Sequence, residues 1–91
     1  MNKPNKEKAY TSIDGYVRSP ETEKQLNELV ASVFKDDAGK KVLGYLKAIS
    51  INAVSGPEFN ANALFHKEGM RFIVGLIEAR ITKHNQGEKN G

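Results

Sequence analysis

The chain has 91 residues, no cysteine, 38% hydrophobic and 27% charged residues and a net charge of +3, the composition of one small globular domain. Without cysteine there is neither a disulfide framework nor a thiolate metal site. No apolar run approaches the ~20 residues that span a bilayer, and the polar start MNKPNKEKAY lacks the apolar segment of a signal peptide, so a cytosolic protein with no membrane association is expected.

The positive charge is unevenly placed. Residues 19–84 hold nine basic residues against eight acidic ones, so most of the excess lies at the ends. A basic end of this kind is a solvated terminus more often than a grip on a phosphate backbone.

Residues 1–18, with Pro4, Gly15 and mostly polar neighbours, read as a flexible N-terminal arm. Tyr10, Ile13, Tyr16 and Val17 are more apolar than a linker needs, which fits an arm that docks on its own core or on a partner.

The domain proper is expected over 19–84, as three helices. Ser19 as N-cap, Pro20 at the first helical position, and Glu21 and Glu23 in the first turn start a helix over about 20–35. Leu26, Leu29, Val30, Val33 and Phe34 fall on one face of it. Asp36 or Asp37 caps a second helix over about 38–53, with Val42, Leu43, Leu46, Ile49 and Ala53 at helical spacing. The link between the two is so short that an antiparallel hairpin follows, its helices facing each other through those stripes.

Gly56 and Pro57 end the second helix, and Asn60 or Asn62 caps a third over about 61–83. Its apolar positions, Leu64, Phe65, Met70, Phe72, Ile73, Val74, Leu76, Ile77 and Ile81, cover more than one stripe and so need neighbours on two sides. Gly69 and Gly75 each lower helix propensity by about 1 kcal/mol. Six residues apart, they point to different sides, as close packing against separate neighbours or another chain requires. The tail 85–91 is polar, contains two glycines and is expected to be disordered. The fold class is therefore all-α: a small three-helix bundle, a helix hairpin plus a longer third helix.

Little in the chain points to catalysis or to a cofactor. His66 and His84 lie far apart without a carboxylate or second histidine at the spacing of a metal-binding helix face. DDAGKK lacks the upstream glycine, the Ser or Thr after lysine and the preceding strand of a phosphate loop. Glu68 and Arg71 form either an exposed helix pair or half of a longer tie in which Arg71 reaches Asp36 or Asp37. The packing and interface candidates are Gly39, Leu43, Leu46, Phe65, Gly69, Phe72, Ile73, Gly75 and Leu76.

Over residues 33–81, the pattern of Phe34, Gly39, Val42-Leu43 and Leu46, followed by Ala63, Phe65, Glu68-Gly69, Arg71 and Ile77, resembles a family of short podovirus proteins typified by a Bordetella phage. Genes of that family lie in the virion-assembly region, near those for portal and major capsid proteins. The resemblance implies phage origin and a structural, head-assembly or ejection-associated role, and it implies no catalytic residue. Where the family has a second basic residue beside the arginine, this chain has Met70 and Phe72.

The expected function is a non-enzymatic helical module that binds phage virion proteins of the portal or capsid region, or itself as a homo-oligomer. It would act in the host cytoplasm during assembly or in the virion. The alternative is a small DNA-binding protein of packaging or regulation using Lys3, Lys6, Lys8, Arg18, Lys40 and Lys41; the even charge of the core argues against it. A host-directed inhibitor is the third reading.

Overall fold

The computed structural model describes residues 8–52 and 61–90, the last three of these by their backbone alone. A two-stranded antiparallel hairpin, β1 (Tyr10–Thr11) and β2 (Val17–Arg18), precedes three helices, α1 (Pro20–Val33), α2 (Asp37–Ala48) and α3 (Ala61–Asn90). The three-helix, mostly α class expected from the sequence is the class observed.

The hairpin replaces the expected flexible arm over residues 10–18. Tyr10 pairs with Arg18 and Thr11 with Val17, and the turn closes through Ser12 N–H donating to Tyr16 O at 2.7 Å and Gly15 N–H to Ser12 O at 3.0 Å. Gly15 has φ of 91°, a left-handed conformation that a side chain disfavours. Asp14 accepts from the Tyr16 N–H at 3.0 Å and stiffens the same turn. Residues 1–7, including Lys3 and Lys6, lie outside the described residues, as do the expected helix stop at Gly56-Pro57 and the cap at Asn60.

α1 starts as its cap predicts, with Ser19 Oγ accepting from Thr22 N–H at 3.2 Å. Asp36 caps α2 by accepting from Gly39 N–H at 2.9 Å. Here glycine is obligatory: a Cβ on Gly39 would run into the carbonyl oxygen of Val33 and lie 2.7 Å from Phe34 Cα. Only a residue without a side chain lets α2 begin this close to the end of α1.

Three boundaries differ from expectation. α1 ends at Val33 and α2 at Ala48, short of 35 and 53, while α3 runs to Asn90 instead of fraying after 83. Ser50, buried, donates its hydroxyl to Leu46 O and closes the last turn of α2 from outside it. In α3 no proline interrupts the ladder beyond Arg80, and one glycine subtracts only about 1 kcal/mol from a 30-residue helix. Asn62 therefore lies inside α3 and does not cap it.

α1 and α2 pack against α3 and scarcely against each other. The expected face-to-face hairpin is thus corrected, because α3 supplies the surface on which each helix lies. Lys47 Nζ meets Glu78 Oε2 at 3.1 Å, and Arg71 Nε donates to Ser50 O at 3.2 Å. As the chain advances from 47 near the end of α2 to 50 just beyond it, its partners on α3 retreat from 78 to 71, so the two helices run antiparallel. The molecule is elongated, 60 × 32 × 17 Å.

The interior is inverted relative to an ordinary domain. Among the described residues, the only buried hydrophobic side chain is that of Val74, whereas Ser12, Glu23, Asn27, Ser50 and Arg80 are buried polar residues. Leu29 and Val33 of the expected α1 stripe are exposed. The inner face of α1 begins instead with Glu23 and Asn27, one helical turn apart.

Candidate functional site

Two neighbouring features could carry function: a buried polar cluster around Arg80 and an open apolar groove further along α3.

Arg80 ties the hairpin and α1 to α3. Its Nη1 donates to Glu23 Oε2 at 2.7 Å and to Asn27 Oδ1 at 2.9 Å; its Nη2 donates to Ser12 Oγ at 3.3 Å and to Asp14 Oδ2 at 3.2 Å. Ser12 Oγ in turn donates to Glu23 Oε2 at 2.7 Å. Arg18 Nη1 lies 2.7 Å from Asp14 Oδ2 and 3.6 Å from Glu23 Oε1. Two guanidinium and two carboxylate charges cancel, as burial demands.

The cluster also sets the ionisation of its acids. The Tyr16 N–H holds Asp14 below the usual carboxylate range; burial opposes this, and Arg18 and Arg80 reinforce it. Burial pushes Glu23 up, but the Ser12 hydroxyl and the hydrogen bond and charge of Arg80, helped by Arg18, leave it lowered. Both carboxylates are therefore held ionised. Asp14 and the Oε2 of Glu23 are engaged by the fold, while Glu23 Oε1, buried, has Arg18 at 3.6 Å and no hydrogen bond.

The groove lies between the C-terminal end of α2 and the N-terminal half of α3. It has a volume of about 490 Å³ and is walled by Leu46 and Ile49 on one side and by Phe65, Met70, Ile73 and Val74 on the other, with Gly69 in its floor. Its lining is almost wholly apolar. Small-molecule sites of this size add a few convergent polar groups that orient the ligand; here Ser50 is spent on Leu46 O and His66 is exposed.

One stripe of α3 connects the two features. Phe65, Gly69, Ile73, Leu76 and Arg80 follow at steps of four, four, three and four, so they share a face. At Arg80 that face is covered by Glu23 and Asn27 of α1. Towards the N-terminus it is bare: Phe65 is 72% exposed and Ile73 56%.

The remaining sequence candidates fall as follows. Leu43, Leu46 and Leu76 are half-buried, and Phe72 is exposed. Among the described residues a Cβ on Gly69 or Gly75 would meet nothing within 4 Å, so neither glycine serves close packing among them. Arg71 pairs with Glu68 at 3.2 Å, and its reach to Asp36 or Asp37 does not form. The antiparallel course of α2 brings Ser50, not those aspartates, to Arg71; Asp36 is a cap and Asp37 meets Lys41 at 3.3 Å.

Of the basic candidates, Arg18 is committed to Asp14 and Glu23, while Lys8, Lys40 and Lys41 are exposed. Among the described residues no three His, Asp or Glu side chains gather as a metal ion would need, and no helix is long and apolar enough to cross a membrane.

The Arg80 cluster is what sequence reading missed. Asp14-Gly15 between Tyr10-Thr11 and Tyr16-Val17 is a hairpin signal, and a lone arginine among Leu76, Ile77 and Ile81 calls for a buried acid. The chain matches no family model, no curated protein and no solved structure.

Proposed function

We propose that the protein is a non-enzymatic helical module whose work is to bind other polypeptide chains, through the groove between α2 and α3. One observation carries this reading: the described chain buries polar side chains and exposes its large apolar ones. An exposed apolar face marks an interaction site, and Phe65 and Ile73 on one face of α3 are both exposed. The resemblance over residues 33–81 supports a place in phage assembly, with partners in the portal or capsid region or a second copy. On that reading the chain works in the host cytoplasm during assembly or within the particle.

Hydrogen exchange tests the proposal. The purified chain is mixed with purified portal and major capsid proteins, and protection is followed over 46–50 and 61–74. Slowed exchange there, together with a defined copy number by mass spectrometry of purified particles, is the expected outcome. Unchanged exchange with either protein and absence from particles would overturn the phage-assembly reading.

A further inference from the structure

We propose that a basic cleft between α1 and the C-terminal half of α3 is a docking site for an acidic segment of a partner polypeptide. The cleft shares no lining residue with the apolar groove, so the proposal goes beyond the groove reading and stands independently of it.

The cleft follows from the packing of α1 on α3. Lys24, Glu28 and Ser32 succeed one another at steps of four along one face of α1, and Lys35 lies just beyond its end. Two recesses, of about 400 and 500 Å³, have Glu28 and His84 in common and so form one cleft. Lys24 and Lys83 line one end of it. Lys35, with Lys40 from the start of α2, lines the other.

Its charge is one-sided. Among the described residues the cleft carries those four exposed lysines against the single carboxylate of Glu28. None of the four has an ion-pair partner among the described residues, whereas Arg18, Lys41, Lys47, Arg71 and Arg80 all have one. A cleft walled by one sign of charge focuses its field and concentrates counter-ions, so its complement is an anion.

Two observations select a polypeptide over a nucleic acid. Glu28 lines both recesses and so sits between the two lysine pairs. A nucleic-acid strand is charged at every phosphate and would set one against this carboxylate; an acidic polypeptide can place a neutral residue there and donate a backbone N–H to it. The cleft also lacks the groups that read nucleic acid. Arg18, Arg71 and Arg80 are paired elsewhere, and the aromatic ring in the lining, that of Phe34, is half-buried and forms no open stacking platform.

Spacing sizes the occupant. Lys24 and Lys35 are eleven positions apart, which is about 16 Å at the helical rise. Roughly five residues of extended chain cover that distance at about 3.3 Å each. The segment that fits carries carboxylates at its two ends and neutral residues between them.

Fluorescence anisotropy of labelled peptides with the full chain tests the proposal. The peptide Glu-Glu-Gly-Ser-Gly-Glu-Glu is expected to bind about tenfold more tightly at low ionic strength than its glutamine counterpart, and to lose that advantage at about 0.5 M salt, where exposed charges are screened. Lys24→Glu with Lys35→Glu is expected to weaken binding by about tenfold or more with the helical circular dichroism kept, while Phe65→Glu in the apolar groove leaves it unchanged. Equal binding of the two peptides, or binding indifferent to the double lysine variant, overturns the cleft as a site for acidic segments. An oligothymidylate of the same length bound as tightly as the glutamate peptide overturns the choice of a polypeptide. Neither result bears on the groove, which the exchange experiment decides.

Discussion

Glu23 and Arg80, separated by 57 residues in sequence, meet at 2.7 Å in surroundings from which solvent is almost excluded. This contact docks α1 on α3, and through Ser12 and Asp14 it docks the hairpin as well. A chain with so little buried apolar surface relies on such contacts more than most do.

Glu23→Ala leaves Arg80 buried with Asp14 as its remaining acid partner. Removing one member of a buried, hydrogen-bonded pair destabilises by about 3–5 kcal/mol. Urea unfolding of Glu23→Ala and Arg80→Ala is expected to show losses of that order, and the double variant less than the sum of the two. Additive losses would mean that the two side chains do not act together.

Acid is expected to loosen the hairpin before the helices. Asp14 and Glu23 are lowered from ordinary values of 3.8 and 4.5, so the stability they contribute is complete above about pH 4.5 and is lost as pH falls through their lower folded values. Amide exchange reads this directly, since the Ser12 and Gly15 N–H groups bond within the hairpin. Their protection is expected to fall below pH 4 while that of mid-α3 amides persists.

Two glycines are expected to respond in opposite directions. Gly39→Ala forces a Cβ against backbone atoms of Val33 and Phe34, and overpacking of this kind destabilises by about 1–3 kcal/mol. Gly44→Ala meets open space in mid-helix and is expected to stabilise by about 0.5–1 kcal/mol through helix propensity. Thermal unfolding of both variants checks the contrast.

Binding to duplex DNA is expected to be weak and non-specific. Arg18 is held by Asp14 and Glu23 in a part-buried cluster, which removes one of the cations a phosphate contact would need. Fluorescence anisotropy at physiological salt is expected to give a Kd no tighter than the non-specific range of about 10⁻⁴–10⁻⁶ M. Nanomolar affinity would restore the DNA-binding reading.

What local chemistry controls was readable from residue order. Ser19-Pro20 and Asp36 are caps whose hydrogen bonds close within three residues, so the starts of α1 and α2 and the helical class needed no knowledge of the rest of the fold. The close approach at Gly39 is equally local, because its obstacle is the end of the preceding helix. Tertiary structure alone decided which faces turned inward. Counting apolar residues put Leu29 and Val33 inside α1, yet the folded chain turned Glu23 and Asn27 in and left those two exposed. A buried guanidinium outweighs a few methyl groups in setting the rotation of a helix, since an unpaired charge away from water costs far more than an exposed side chain. The same long-range pairing drew the hairpin onto the helices and left the stripe from Phe65 to Ile73 uncovered, and no window of adjacent residues contains both halves of that arrangement.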